Sequence, residues 1–203
     1  MSRTIFLLSP ASTSGRRAQL LFNERAEFPL AVALRGAGGA TLGEVFSFLS
    51  GLYFRGKLAY ARAFARAPRG VPPILVITPD RGLLAPDVRV TLADLRAFAG
   101  SPIAAGNAIY RAALRGAAEQ LAKQARGAAD VVLLGSIASD KYVDVLLASF
   151  GERLWFPQEF VGRGDMSRGG LLLRCVDSAA ELTYVRVAGA VRTGQRPPRL
   201  KPQ

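Results

Sequence analysis

Ile5-Phe6-Leu7-Leu8 runs directly into Ser9-Pro10-Ala11-Ser12-Thr13, Ile74-Leu75-Val76-Ile77 into Thr78-Pro79-Asp80-Arg81-Gly82, and Val131-Val132-Leu133-Leu134 into Gly135-Ser136-Ile137-Ala138-Ser139. Four apolar residues in a row, with no polar alternation, fit strands covered on both faces, as in a parallel or mixed sheet between layers of helices. In open sheets of that kind ligands bind beyond the carboxyl ends of the strands, so these three loops are the first place to look for a site.

Helical patterns fill the intervals. Tyr110, Leu114, Ala117, Ala118, Leu121 and Ala125 form one apolar stripe from Asn107 to Arg126, and Gly127 is a plausible stop. Thr91 followed by Asp94 resembles a capping box opening a helix around Leu92 to Phe98. Ser139 is placed to cap a helix whose inner face is Val143, Leu146, Leu147 and Phe150. Leu171 to Val176 and Leu182 to Val187 read as two strands joined by Asp177-Ser178-Ala179-Ala180. The expected fold is therefore α/β: one domain over residues 1–190, a mixed, largely parallel sheet flanked by helices, and a C-terminal antiparallel strand pair. Residues 191–203 are expected to be a basic, proline-rich tail.

The chain has 203 residues, enough for one core, and half of them are hydrophobic, which excludes a disordered or collagen-like chain. Its 27 Lys+Arg against 15 Asp+Glu leave a net charge of +12, and only four of the cations are lysines. Codon usage in a GC-rich genome is one explanation for arginine over lysine, but it does not explain the net excess. A field of this sign attracts polyanions, and arginine suits bidentate contact with phosphate. Nucleic acid, or a phosphorylated or nucleobase-bearing small molecule, is thus the leading partner class. The absence of histidine removes Ser-His-Asp and Cys-His triads and His-ligated zinc, and Cys175 alone cannot form an intrachain disulfide. Neither a metal nor a cofactor is implied, and chemistry would fall to Asp, Glu, Lys, Arg, Tyr or Ser. Ile5 to Leu8 is too short for the apolar region of a signal peptide and no run approaches a membrane span, so a cytoplasmic location without membrane contact is expected.

Three segments are candidate sites. Read as a helix from Leu52, the stretch to Arg69 puts Arg55, Arg62, Arg66 and Arg69 on one face, with Tyr53, Lys57, Tyr60 and Phe64 beside them. Cations that hold phosphates beside rings that stack on bases suit a nucleic-acid surface; the competing reading puts the rings in the core and the arginines in solvent. In Gly162 to Gly170 four glycines free the backbone to turn N–H groups toward an anion, Arg163 and Arg168 add charge, and Asp165 fixes them or acts as acid or base; the alternative is a glycine-rich turn. Leu134 to Tyr142 passes from a strand through small residues to a helix start, an anion site by geometry, with Lys141 and Asp140 adjacent and plain helix capping as the alternative.

Taken in order, these stretches resemble a known family. Leu8-Ser9-Pro10-Ala11-Ser12-Thr13, Ser136-Ile137-Ala138-Ser139-Asp140-Lys141-Tyr142 and Arg163-Gly164-Asp165-Met166-Ser167-Arg168 are similar to the three signature stretches of the YaaA peroxide-stress proteins. Those read roughly Ile-Ser-Pro-Ala-Lys-Thr, Asn-Leu-Ala-Ser-x-Glu-Tyr and Ala-Arg-Gly-x-Met-Ser/Ala-Arg. Gly82 to Asp87 and Leu49 to Tyr53 resemble further family strings. The family's Lys after Ser-Pro-Ala is Ser12 here, and its Glu before the Tyr is Lys141, which reverses the local charge. The resemblance implies a mixed α/β fold with a basic cleft, binding to duplex or branched DNA, and a role in limiting DNA damage under peroxide and iron stress.

Two functions follow as expectations. The first is a DNA-binding protein with phosphate contacts from Arg163, Arg168, Lys141, Arg81, Arg55, Arg62 and Arg66, with Ser9 and Ser136 in the strand-end loops. The second is an enzyme acting on a nucleobase, nucleoside or nucleic acid, for example at an N-glycosidic bond, with Asp140 and Asp165 as its carboxylates and Asp80 nearby. Oligomeric state is left open by the sequence.

Overall fold

A computed structural model describes residues 3–198. In chain order, β1 (Thr4–Leu8) leads to α1 (Arg16–Phe22), α2 (Pro29–Arg35), a short β2 (Ala40–Thr41), α3 (Leu42–Ser50) and α4 (Leu52–Phe64). Then come β3 (Ile74–Ile77), β4 (Leu83–Leu84), β5 (Arg89–Val90), α5 (Leu92–Gly100) and α6 (Ala108–Ala125). The chain closes with β6 (Asp130–Leu134), α7 (Val143–Phe150), β7 (Leu154–Pro157), α8 (Asp165–Asp177) and β8 (Tyr184–Arg186).

The three apolar runs are the centre of one six-stranded sheet of order β4-β3-β1-β6-β7-β8. β3, β1, β6 and β7 are parallel, and antiparallel β4 and β8 close the two edges. Alternate side chains serve two separate cores. Phe6, Leu8, Ile74, Val76, Val132 and Leu134 meet α1 to α5 and α8, while Ile5, Leu7, Leu75, Ile77, Val131 and Leu133 meet α6 and α7. Burial on both sides is why these strands carry no polar alternation. The expected α/β fold is the one observed, and among the described residues no helix is long and apolar enough to cross a membrane.

Local signals are mostly borne out. Thr91 and Asp94 form the capping box of α5, and Tyr110, Leu114, Ala118, Leu121 and Ala125 are the buried stripe of α6. Three expectations are corrected. Leu171 to Val176 is not a strand but the body of α8, whose inner positions Arg168, Leu172 and Cys175 fall at helical spacing. A short apolar run without β-branched residues at its start has no period of its own, and the start signal at Gly164-Asp165 decides it. The C-terminal antiparallel pair exists, but β8 pairs with β7, Phe156 facing Val185. Ser139 does not cap α7, which begins at Val143 with Tyr142 as its cap residue and no side-chain cap. Of the expected tail, residues 199–203 lie outside the described residues; Arg192 binds the Asp140 carboxylate at 2.5 Å.

A candidate cleft at the crossover point of the sheet

Leu8 is in register with Val76 on one side and Leu134 on the other, so the three central strands end within one residue of each other and Ser9, Thr78 and Gly135 leave them at the same edge. The chain leaving β1 goes to helices on one face, and the chain leaving β6 goes to α7 on the other. Their divergence opens a crevice, the position at which doubly wound sheets bind ligands. A cleft of about 690 Å³ lies there. Its walls are Ser9 to Ser14 after β1, Leu49, Ser50 and Tyr53 of α3 and α4, Pro79 after β3, Ala99 in the last turn of α5 with Ser101 to Ile103 after it, Ser136, Ser139, Lys141 and Tyr142 after β6, and Asp165 at the start of α8.

Ser9, which borders the cleft, is held by the buried Lys57. This side chain is 1% exposed, and its Nζ donates to the Ser9 carbonyl at 2.5 Å and to Ser9 Oγ at 2.8 Å. It also lies over the Tyr53 ring at 4.4 Å and the Phe54 ring at 5.0 Å. No carboxylate among the described residues pairs with it. Burial therefore lowers its pKa from 10.5 to about 7, opposed by the Asp165 carboxylate and reinforced by the Arg168 guanidinium. The Tyr53 hydroxyl is closed from solvent beside the Arg168 guanidinium, and burial raises its pKa. Tyr142 donates to the Ser136 carbonyl at 2.9 Å, and burial raises its pKa too. Gly135 permits this crowding: a Cβ there would lie 2.9 Å from Ser9 Cβ and 3.0 Å from the Tyr142 oxygen.

A glycine contact places α8. A Cβ on Gly56 would stand 2.7 Å from the Gly169 carbonyl, and one on Gly169 would stand 2.8 Å from the Leu52 carbonyl. Only with glycine at both positions can the backbones of α4 and α8 touch, and that contact carries Asp165 to the cleft and Arg168 beside Tyr53 and Lys57. Residues 165–170 are therefore helix, not an open anion cradle. Arg168 is buried, with Nε and Nη2 on the Phe160 carbonyl at 3.1 and 2.9 Å and Nη1 3.6 Å from Asp165.

Among the expected site residues, Ser9, Ser136, Lys141 and Asp165 line the cleft, and Arg168 lies one turn after Asp165 on α8. The others are elsewhere. Arg163 binds Ser167 Oγ at 3.2 Å, Asp140 is engaged by Arg192, and Arg81 pairs with Asp94 while stacking on Phe98 at 5.4 Å. The expected four-arginine face is corrected: α4 ends at Phe64, so Arg66 and Arg69 lie beyond it. Arg62 pairs with Asp87 at 3.2 Å and Arg66 with Glu181 at 2.5 Å, whereas Arg55 is exposed on α4. Tyr53, Tyr60 and Phe64 are core, as the competing reading had it. Lys57 was grouped with those rings and not singled out; a cation at a core position of an apolar stripe is the signal that marks it.

A second cavity of about 760 Å³, lined by Trp155, Tyr184 and Ala188 to Val191 among others, has Arg186 as its one charged lining side chain, and that arginine pairs with Glu152. It assembles no group of reactive side chains. Fold and cleft together define an α/β domain with a cleft at its crossover point. Comparison with family models, with curated proteins and with solved structures returns no match.

Proposed function

We propose that the chain is a DNA-binding protein of the YaaA kind, holding a phosphorylated nucleotide of its nucleic acid in the cleft. The observation that carries this reading is convergence. The stretches at Ser9, Ser136 and Asp165 that resemble the family's signatures are far apart in sequence, and each contributes to this one cleft. Leu49, Ser50 and Tyr53 of a further matching string line it as well, whereas Gly82 to Asp87 do not.

The chemistry of the walls supports the same ligand class. Hydroxyls of Ser9, Ser12, Thr13, Ser14, Ser136 and Ser139 offer donors to phosphate or sugar, Lys141 stands at the exposed edge, and Asp165 is the lone carboxylate in the lining. Arg17, whose Nη1 binds the Phe48 carbonyl beside Ser50, adds a cation with no carboxylate partner among the described residues. On this reading the protein works in the cytoplasm and limits DNA damage under peroxide and iron stress.

Affinity for duplex and branched DNA measured at several salt concentrations tests it. The expected log-log slope is about −0.9 per phosphate neutralised, and K141E together with R17E should flatten it by roughly two such units. Binding that ignores salt, or no binding at low salt, overturns it. The Lys57–Ser9 contact favours a second reading, in which the cleft is also catalytic; the carboxylate pair Asp140 and Asp165 does not assemble, since only Asp165 faces the cleft.

A further inference from the structure

A lysine that only fastened the chain leaving β1 would need the Ser9 carbonyl and nothing more. Lys57 also holds Ser9 Oγ, and Ser9 borders the cleft. The hydroxyl of Ser9 is thus a nucleophile in reach of a ligand, in direct contact with an amine that has no carboxylate partner to keep it protonated. A nucleophile touching its base within a crevice is the arrangement by which serine is activated in the absence of histidine.

We propose that Ser9 and Lys57 form a serine–lysine dyad that hydrolyses a carboxylic ester or amide presented in the cleft. Neutral Lys57 accepts the Ser9 proton as Oγ bonds to the carbonyl carbon and the π pair moves to the carbonyl oxygen. Collapse of the tetrahedral adduct breaks the bond to the leaving alcohol or amine, which takes the proton from the Lys57 ammonium. Water then attacks the acyl-serine, giving one proton to Lys57, which returns it to Ser9 Oγ as the acid departs. The sum is ester or amide plus water to acid plus alcohol or amine.

The surroundings decide for a carbonyl over a phosphodiester. A phosphoryl centre carries negative charge and needs cations at its oxygens. Arg168 is committed to the Phe160 carbonyl, and Lys141 stands at the exposed edge. The buried Tyr53 hydroxyl, beside the Arg168 guanidinium, supplies one neutral donor for a developing oxyanion. The groups facing Lys57 are Asp165 and Arg168 of α8, Tyr53 and Phe54 of its own helix, and Ser9.

The test uses the intact protein and a fluorophosphonate probe, with the modified residue located by mass spectrometry. Ser9 should be the labelled serine, about tenfold faster at pH 9 than at pH 6 as Lys57 loses its proton near pH 7. Ser9→Ala should remove the label, and Lys57→Met and Lys57→Arg, checked for folding by circular dichroism, should remove it as well. A folded protein unlabelled at Ser9 at pH 9, a rate flat from pH 6 to 9, or full labelling in a folded Lys57 variant overturns the dyad. The flat-rate outcome is read on the natural chain, so it stands even where a variant fails to fold. The dyad rests on the cleft being the functional site, not on its holding DNA: Ser9 labelling with no DNA binding rejects only the nucleic-acid reading, and the converse rejects only the dyad.

Discussion

Replacing Lys57 by methionine should change how stability depends on pH, and the size of the change follows from where the amine sits. Lys57 is 1% exposed and its pKa falls from 10.5 to about 7 in the folded chain. Between those values the unfolded chain binds the proton and the folded chain does not, so stability rises with pH across that window. Below pH 7 both states are protonated and the cost of the buried charge is at its full value, about 5 kcal/mol at 1.36 kcal/mol per pKa unit. At pH 9 the cost has fallen to about 2 kcal/mol, so the linkage contributes about 3 kcal/mol between pH 6 and pH 9. Methionine fills similar space without a charge. Its loss of the Ser9 hydrogen bonds adds an offset that does not depend on pH, while the other titrating groups are common to both proteins and cancel. Urea unfolding of both proteins at pH 6, 7, 8 and 9 should show the variant gaining on the natural chain by about 3 kcal/mol as pH falls. A difference constant within about 0.5 kcal/mol refutes a Lys57 that is neutral near pH 8 and with it the base role assigned to it.

Two glycine substitutions should act in opposite directions. Gly169→Ala forces a methyl group to 2.8 Å from the Leu52 carbonyl and 2.9 Å from Tyr53 Cα, backbone that cannot step aside, and should cost about 1–3 kcal/mol in urea unfolding while slowing Ser9 labelling. Gly116→Ala, on the exposed side of α6 with nothing within 4 Å of the new Cβ, should raise the unfolding free energy by up to about 1 kcal/mol.

The sheet was legible in the sequence because burial on both faces leaves an unbroken apolar run, and the same fact located the cleft at the ends of those runs. β7 gives no comparable signal, because Leu154-Trp155-Phe156 is only three apolar residues before Pro157. α8 was misread because the glycines of 162–170 suggest a loop, whereas Gly169 serves a helix crossing 113 residues away in sequence from Gly56 (169 minus 56). The arginines show the limit most directly. Helical spacing from Arg55 to Arg69 suggested one basic face, yet whether an arginine is free depends on distant carboxylates. Asp87 and Glu181 take Arg62 and Arg66, and Asp94 takes Arg81. Sequence pattern registers spacing within an element and is blind to such partners.

Arg168 acquires a different role from the phosphate contact expected of it. A carboxylate free to approach Lys57 would hold the amine charged and useless as a base. Asp165 is the carboxylate that acts on it, and Asp165 is 71% exposed, where water screens its pull, with the Arg168 guanidinium 3.6 Å away. Arg168 in turn is fixed by two hydrogen bonds to the Phe160 carbonyl and by the Phe160 ring at 5.4 Å, so it cannot follow a ligand into the cleft. The two residues share one turn of α8, and the glycine crossing sets that turn against α4. In this segment the Asp165 carboxylate favours the charged form of Lys57 and the Arg168 guanidinium opposes it, while burial remains the larger influence on the amine.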